Sequence, residues 1–179
     1  MFGGVMVLFF RQSLELRDRS YEVWLEGTDP SEAPYGDYVH LKLGIRKAEG
    51  YAEPFSREIE LRIRQDGLDF KRDGFVTRSI DLQEEDQEER TDDIVAESLD
   101  DQAIEAIIDG IPAFDPILGC LIRGSLSVIA GQIIRCWFAT RNQPDWRLRR
   151  QEIWDCLSRN GVAMLTAFLA RFGRCLIAG

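Results

Sequence analysis

A single histidine, His40, serves the whole chain, and it lacks the neighbours that would make it a catalyst. A lone imidazole can act as a general base. No Gly-x-Ser-x-Gly elbow accompanies this one, and a Cys–His pair would need a cysteine brought over from a distant part of the chain. The alternation around His40 places it mid-strand on a polar face, where an ordinary strand residue is the simpler reading.

Cysteine is sparse too. Cys120, Cys136, Cys156 and Cys175 are separated by 16, 20 and 19 residues, so no C-x-x-C pair exists. Zinc sites are built from such local pairs. All four cysteines sit among apolar neighbours, where a free thiol behaves as a small hydrophobe. The expectation is four reduced, buried thiols and a reducing, cytoplasmic setting.

The glycines form no phosphate loop. Gly110, Gly119 and Gly124 have neither Walker nor dinucleotide spacing. Gly119, Gly124 and Gly131 instead suggest close helix packing, since each costs up to about 1 kcal/mol of helix propensity. There is no internal repeat. The sequence thus offers no cofactor motif, and no cofactor or metal ligand is assigned.

Two absences concern membranes. The apolar stretch 1–10 has no basic residues before it and no small-residue cleavage site after it, so it reads as a buried strand. Residues 117–134 are mostly apolar but contain Arg123 and Gln132, and residues 162–177 contain Arg171 and Arg174. A central arginine costs about 2.5–3.5 kcal/mol in a bilayer. Both stretches read as core helices, with a membrane hairpin as the alternative.

What the chain has in quantity is acid, unevenly placed. Residues 1–113 carry 27 acidic and 13 basic side chains, a net of −14; residues 114–179 carry 4 and 9, a net of +5, and the two sum to −9. The isoelectric point near 4.7 argues against a nucleic-acid binder. The densest acid lies at 82–93, between a strand-patterned half and a helix-patterned half.

In the first half, Tyr21, Val23 and Leu25 alternate with Glu22, Trp24 and Glu26. Val39, Leu41, Leu43 and Ile45 form a second such row, and Ile59, Leu61 and Ile63 a third. This is the pattern of an antiparallel sheet with one wet face, on which Glu60 and Arg46 could pair. Residues 28–36 read as a loop. Gln65-Asp66-Gly67 and Arg72-Asp73-Gly74 read as tight turns. In the second half, Ser98 with Asp101 resembles a capping box before an isoleucine stripe at 104–111. Asp115-Pro116 starts a long apolar helix that should run to about Ala139. A further helix carries Trp146, Ile153, Trp154 and Leu157 on one face, with Arg147, Arg150 and Arg159 toward water. A last one runs from Val162 to about Leu176.

The predicted fold is α+β: an N-terminal antiparallel β-meander of four to six strands (1–82), an acidic linker or helix start (83–101), and three to four C-terminal α-helices (102–179), forming one compact domain. With no catalytic set in view, the function indicated is a non-enzymatic protein-interaction module: an adaptor, inhibitor or immunity-like protein. Its candidate contacts are Glu84, Glu85, Asp86, Glu88, Glu89, Asp92 and Asp93, offered to a basic protein, together with Trp146, Arg147 and Arg150. If the acidic run instead folded back, Arg147, Arg149 and Arg150 would receive it. A third reading is a metal-dependent hydrolase or nuclease, because Asp93, Glu97 and Asp101 fall at helical spacing and hard cations want several oxygens. Self-association is left open.

Overall fold

In a computed structural model, residues 6–16, 19–31, 38–48, 55–83, 90–110 and 116–178 are described. Six strands come first: β1 (Met6–Leu16), β2 (Arg19–Thr28), β3 (Val39–Ala48), β4 (Phe55–Arg64), β5 (Gly67–Arg72) and β6 (Phe75–Asp81). Five helices follow: α1 (Thr91–Ser98), α2 (Asp101–Ile107), α3 (Pro116–Ala139), α4 (Trp146–Arg159) and α5 (Gly161–Ala178). The sheet is a plain meander, ordered β1 to β6 with every pair antiparallel.

The alternation in the sequence is the cause of the layering. Val23, Leu25, Val39, Leu41, Leu43, Ile45, Ile59, Leu61 and Ile63 are all buried on one face. They share a continuous apolar core with Ile94 of α1, Ile104 of α2, Ile129 and Ile133 of α3, Trp154 of α4 and Phe168 of α5. Sheet and helices therefore bury each other. The opposite face is charged, and its pairing follows register. Arg46 stands directly across from Glu22 and bonds it at 3.2 Å. It does not meet Glu60, which takes His40 Nδ1 at 3.1 Å.

Hairpin chemistry fixes the turns. Asp73 and Gly74 both have positive φ (53° and 85°), as a two-residue turn matched to strand twist requires. Gly44 serves a different need. The Trp24 indole lies flat over it, so that a Cβ there would overlap the ring.

β1 departs from expectation. It is a strand but not a buried one: Met6, Val7 and Leu8 are 42%, 41% and 52% exposed, and only Phe10 is buried. β1 lies at the sheet edge, and its register slips at Phe9, from Leu8↔Glu26 to Phe10↔Leu25. Such a bulge re-aims the side chains on either side of it.

The helical layer also differs in detail. The expected helix after Ser98 is two helices. Ser98 ends α1, and Asp100 caps α2 by accepting from the Ala103 N–H at 2.8 Å. α3 has the expected bounds and is buried along most of its length. Of the glycines expected to admit a neighbouring helix, Gly124 faces Arg171 of α5, while Gly131 meets only Arg135 of its own helix.

The cysteines are not thiols. Cys120–Cys175 joins α3 to α5, and Cys136–Cys156 joins α3 to α4, with Cα–Cα distances of 5.7 and 5.8 Å. No free cysteine is left. The earlier expectation failed because the spacings say nothing about which helices lie side by side, and packing alone brings these pairs together.

Arg150 and Arg149 are buried, not solvated. α4 doubles back against the end of α3, so Arg149 donates to the Trp137 carbonyl (2.7 Å) and to Thr140 Oγ1 (3.2 Å) while lying over the Trp137 ring at 4.3 Å. It caps the carbonyl end of α3, where a cation is favoured. Burial lowers its pKa, partly countered by Glu152. Arg150 Nε and Nη1 are buried with no hydrogen-bond partner among the described residues.

Candidate functional site

The densest acid that the structure describes is displayed by α1, α2 and the residues flanking them. Residues 91–110 hold seven carboxylates and no cationic side chain. Core contacts by Ile94, Val95, Ala103, Ile104 and Ile107 orient both helices, which leaves Asp92, Asp93, Glu97, Asp100, Asp101, Glu105 and Asp109 outward and exposed. A net spacing of four residues through Glu97, Asp101, Glu105 and Asp109 is the signal a closer reading of the sequence would have used.

Arginines hold this ridge to the sheet. Arg78 Nε donates to the Ser98 carbonyl (3.1 Å), Arg72 Nη1 to that of Ala106 (2.7 Å) and Arg57 Nε to that of Asp109 (3.3 Å). All three reach carbonyls at or just past helix ends, where guanidinium groups are stabilising. They bind backbone, so they leave the carboxylates free. Side-chain pairing is partial: Asp92 meets Arg135 of α3 at 3.1 Å, Asp93 meets Arg90 at 3.5 Å, and Asp101 meets Arg123 of α3. Glu97, Glu105 and Asp109 form no ion pair among the described residues.

Beside the ridge, a groove of about 590 Å³ opens at one end of the sheet. Lys42, Arg57, Lys71 and Arg72 line it with Glu58, Glu60, Asp73 and Asp109. Four cations face four anions, so it carries no net field to select an ion. Ser56 brings a hydroxyl to it, and no base is hydrogen-bonded to that hydroxyl among the described residues. His40 is near its Glu60 wall, but every cysteine is in a disulfide, so the Cys–His arrangement has no thiol.

The best-organised polar cluster is elsewhere on the outer face. Asp69, only 3% exposed, accepts from Ser79 Oγ at 2.7 Å, Arg64 Nε at 2.9 Å and Arg62 Nη2 at 2.9 Å. Burial pushes its carboxyl up, but the bonds from Ser79, Arg64 and Arg62 outweigh burial and hold it below the ordinary range. Arg64 is pushed down by burial and raised overall by Asp69 and Asp66. Each partner satisfies another within the sheet, so this is a tie between β4, β5 and β6.

Of the contacts expected from sequence, Glu84, Glu85, Asp86, Glu88 and Glu89 lie outside the described residues. Asp92 and Asp93 sit on α1, exposed. Trp146, Arg147 and Arg150 sit on α4; Arg147 is exposed, Trp146 half-buried and Arg150 buried. No ion pair among the described residues joins the two groups, and the acid meets α3 at Arg135 and Arg123 instead of the α4 arginines. Asp93, Glu97 and Asp101 do not form a metal cluster: among the described residues no three His, Cys, Asp or Glu side chains converge to hold an ion. α3 is the one described helix long and apolar enough to cross a membrane, and 61% of its most apolar window is buried within the protein. Comparison with protein-family models, with curated proteins and with solved structures gave no match.

Proposed function

We propose that this chain is a protein-interaction module whose α1–α2 ridge docks a partner with a basic surface. One observation carries the reading: seven carboxylates without a cation among them are held outward on two helices whose backbones are fixed by Arg57, Arg72 and Arg78. A fixed, predominantly acidic surface, on which Asp92, Asp93 and Asp101 are paired and Glu97, Glu105 and Asp109 form no ion pair among the described residues, steers a basic partner and costs little ordering on binding. Asp92, Asp93, Glu97, Glu105 and Asp109 are the contacts proposed. Arg150, being buried, is not among them, and Arg147 belongs to a separate exposed surface. The burial of α3 supports a core role for that helix over a membrane hairpin.

The compartment follows the cysteines. Two disulfides favour a setting in which they form and persist, so an oxidising environment is proposed in place of the cytoplasm.

Anisotropy of a labelled lysine-rich peptide tests the docking role. Glu97→Lys, Glu105→Lys and Asp109→Lys combined should weaken binding at low salt by about tenfold or more, and Arg147→Glu should leave it unchanged. Equal affinity of the triple variant and the parent, with both folded by circular dichroism, would remove the ridge from the proposal.

A further inference from the structure

The sheet has two edges, and they are finished differently. β6 is mostly exposed, but it is only seven residues long, α2 packs against it and Arg78 straps it to the end of α1; β1 packs on α5 through Phe10 and Phe168. β1 pairs only with β2 among the described residues. Proteins blunt an edge by making it short, by placing charges or proline on it, or by a bulge. β1 is eleven residues long and contains no lysine or proline; its charges, Arg11 and Glu15, are of opposite sign. Its one bulge, at Phe9, leaves Phe10–Leu16 in unbroken register with β2. Arg11, Ser13 and Glu15 stand across from Trp24, Glu22 and Ser20, so they share the outer face, and all three are exposed.

We propose that β1 is the docking edge for a second copy of this chain, added antiparallel about a two-fold axis at Ser13, so that two six-stranded sheets become one. Charge selects the copy and the register. A two-fold axis at Ser13 sets Arg11 of each copy directly across from Glu15 of the other, giving two opposite-charge cross-strand pairs. An axis at Arg11 would oppose arginine to arginine. A one-residue slip would turn the charged row onto the core face. The small Ser13 side chain occupies the axis itself. Nor do the acidic ridges resist this pairing. They pack at β5 and β6, and strands lie about 4.8 Å apart, so four strand spacings put about 20 Å between each ridge and β1. That is well beyond the screening length of about 8 Å at physiological ionic strength. The inference is independent of the docking role proposed for the ridge.

Size-exclusion chromatography with light scattering, from low to high micromolar protein, tests it on the full chain. The parent should be a dimer. Glu15→Arg, which removes no intramolecular pair among the described residues, should weaken dimerisation at least tenfold. Arg11→Glu should do the same, although Arg11 also approaches Glu22 at 3.9 Å and lies over Trp24 at 5.4 Å. The double variant Arg11→Glu/Glu15→Arg should restore the dimer, because the cross-pairs re-form with their signs exchanged. A monomeric parent at all concentrations overturns the proposal, as does a dimer that none of these changes weakens. A dimer lost in both single variants and not recovered in the double overturns the Ser13 register.

Discussion

The sheet and the helical layer of this chain are held together by different chemistry. The sheet is knit by a ladder between sequence neighbours, with Asp69 and the Glu22–Arg46 pair tying strands on the wet face. Nothing covalent crosses it. The helices are joined by few contacts close in sequence, and two disulfides fasten α4 and α5 to α3. A strand in a meander finds its partner through a short loop at small entropic cost, whereas α5 must return to α3 across 55 residues. A cross-link restricts the unfolded chain most where that return is longest.

Removing the disulfides should therefore give the largest effect. In the loop-entropy account, opening Cys120–Cys175 with its separation of 55 costs about 4 kcal/mol, and opening Cys136–Cys156 with its separation of 20 costs about 3 kcal/mol. Urea unfolding of Cys120→Ala/Cys175→Ala and of Cys136→Ala/Cys156→Ala measures both. Hydrogen exchange sharpens the contrast: in the first variant the amides of α5 should lose protection before those of β2–β4. Equal loss in both layers would mean that the layers unfold only together.

The sheet's own weak point is Asp69. Replacing it with alanine takes the carboxylate from Arg62, leaves Arg64 with Asp66 alone and frees Ser79, and it should cost about 2–3 kcal/mol, the range for losing one partner of a hydrogen-bonded charge cluster. The pH dependence has a definite sign. The folded carboxyl is held below its unfolded value of about 3.9, so its stabilisation is fully present above that pH and is lost as pH falls through the folded pKa. Asp69→Asn should thus differ from the parent by a constant amount at neutral pH and converge on it in acid. Urea midpoints collected down the acid limb check this; a difference that persists unchanged there would show that the carboxylate charge is not what ties the strands.

The same contrast explains what could be read from the sequence. Period-two alternation is local, so the strands around Val23, Leu43 and Leu61 were legible, as were the Asp73-Gly74 turn and the bounds of α3. Strand position in the sheet is not local: the apolar run at Met6–Phe10 looks like any core strand, and only its place at the edge leaves Met6 and Leu8 exposed. The disulfides are the extreme case, because Cys120 finds Cys175 only through the way α5 lies along α3. Arg149 and Arg150 misled for a related reason. Arginines on an amphipathic helix read as solvated, yet the end of α3 supplies Arg149 with a carbonyl to cap and an indole to cover. Of the candidate site, Asp92 and Asp93 were legible, while Glu105 and Asp109 were missed although their spacing from Glu97 and Asp101 was there to read; the anchoring by Arg57, Arg72 and Arg78 was not legible, since all three donate to backbone oxygens that no residue identity announces.

The smallest effect belongs to the contacts between the ridge and α3. Asp92–Arg135 and Asp101–Arg123 join exposed side chains, and water and salt screen such pairs to at most about 1 kcal/mol each. Arg135→Gln and Arg123→Gln should each lower the unfolding midpoint slightly at low salt and hardly at all at high salt. The disulfide variants should keep their full deficit at both salt concentrations, because loop entropy carries no charge. The arginine variants should also sharpen docking, since each leaves one more carboxylate unpaired on the ridge: affinity for the lysine-rich peptide should rise as stability falls. If peptide affinity fell instead, α3 would be positioning the ridge through these pairs, and the backbone anchors from the sheet would be insufficient to hold it.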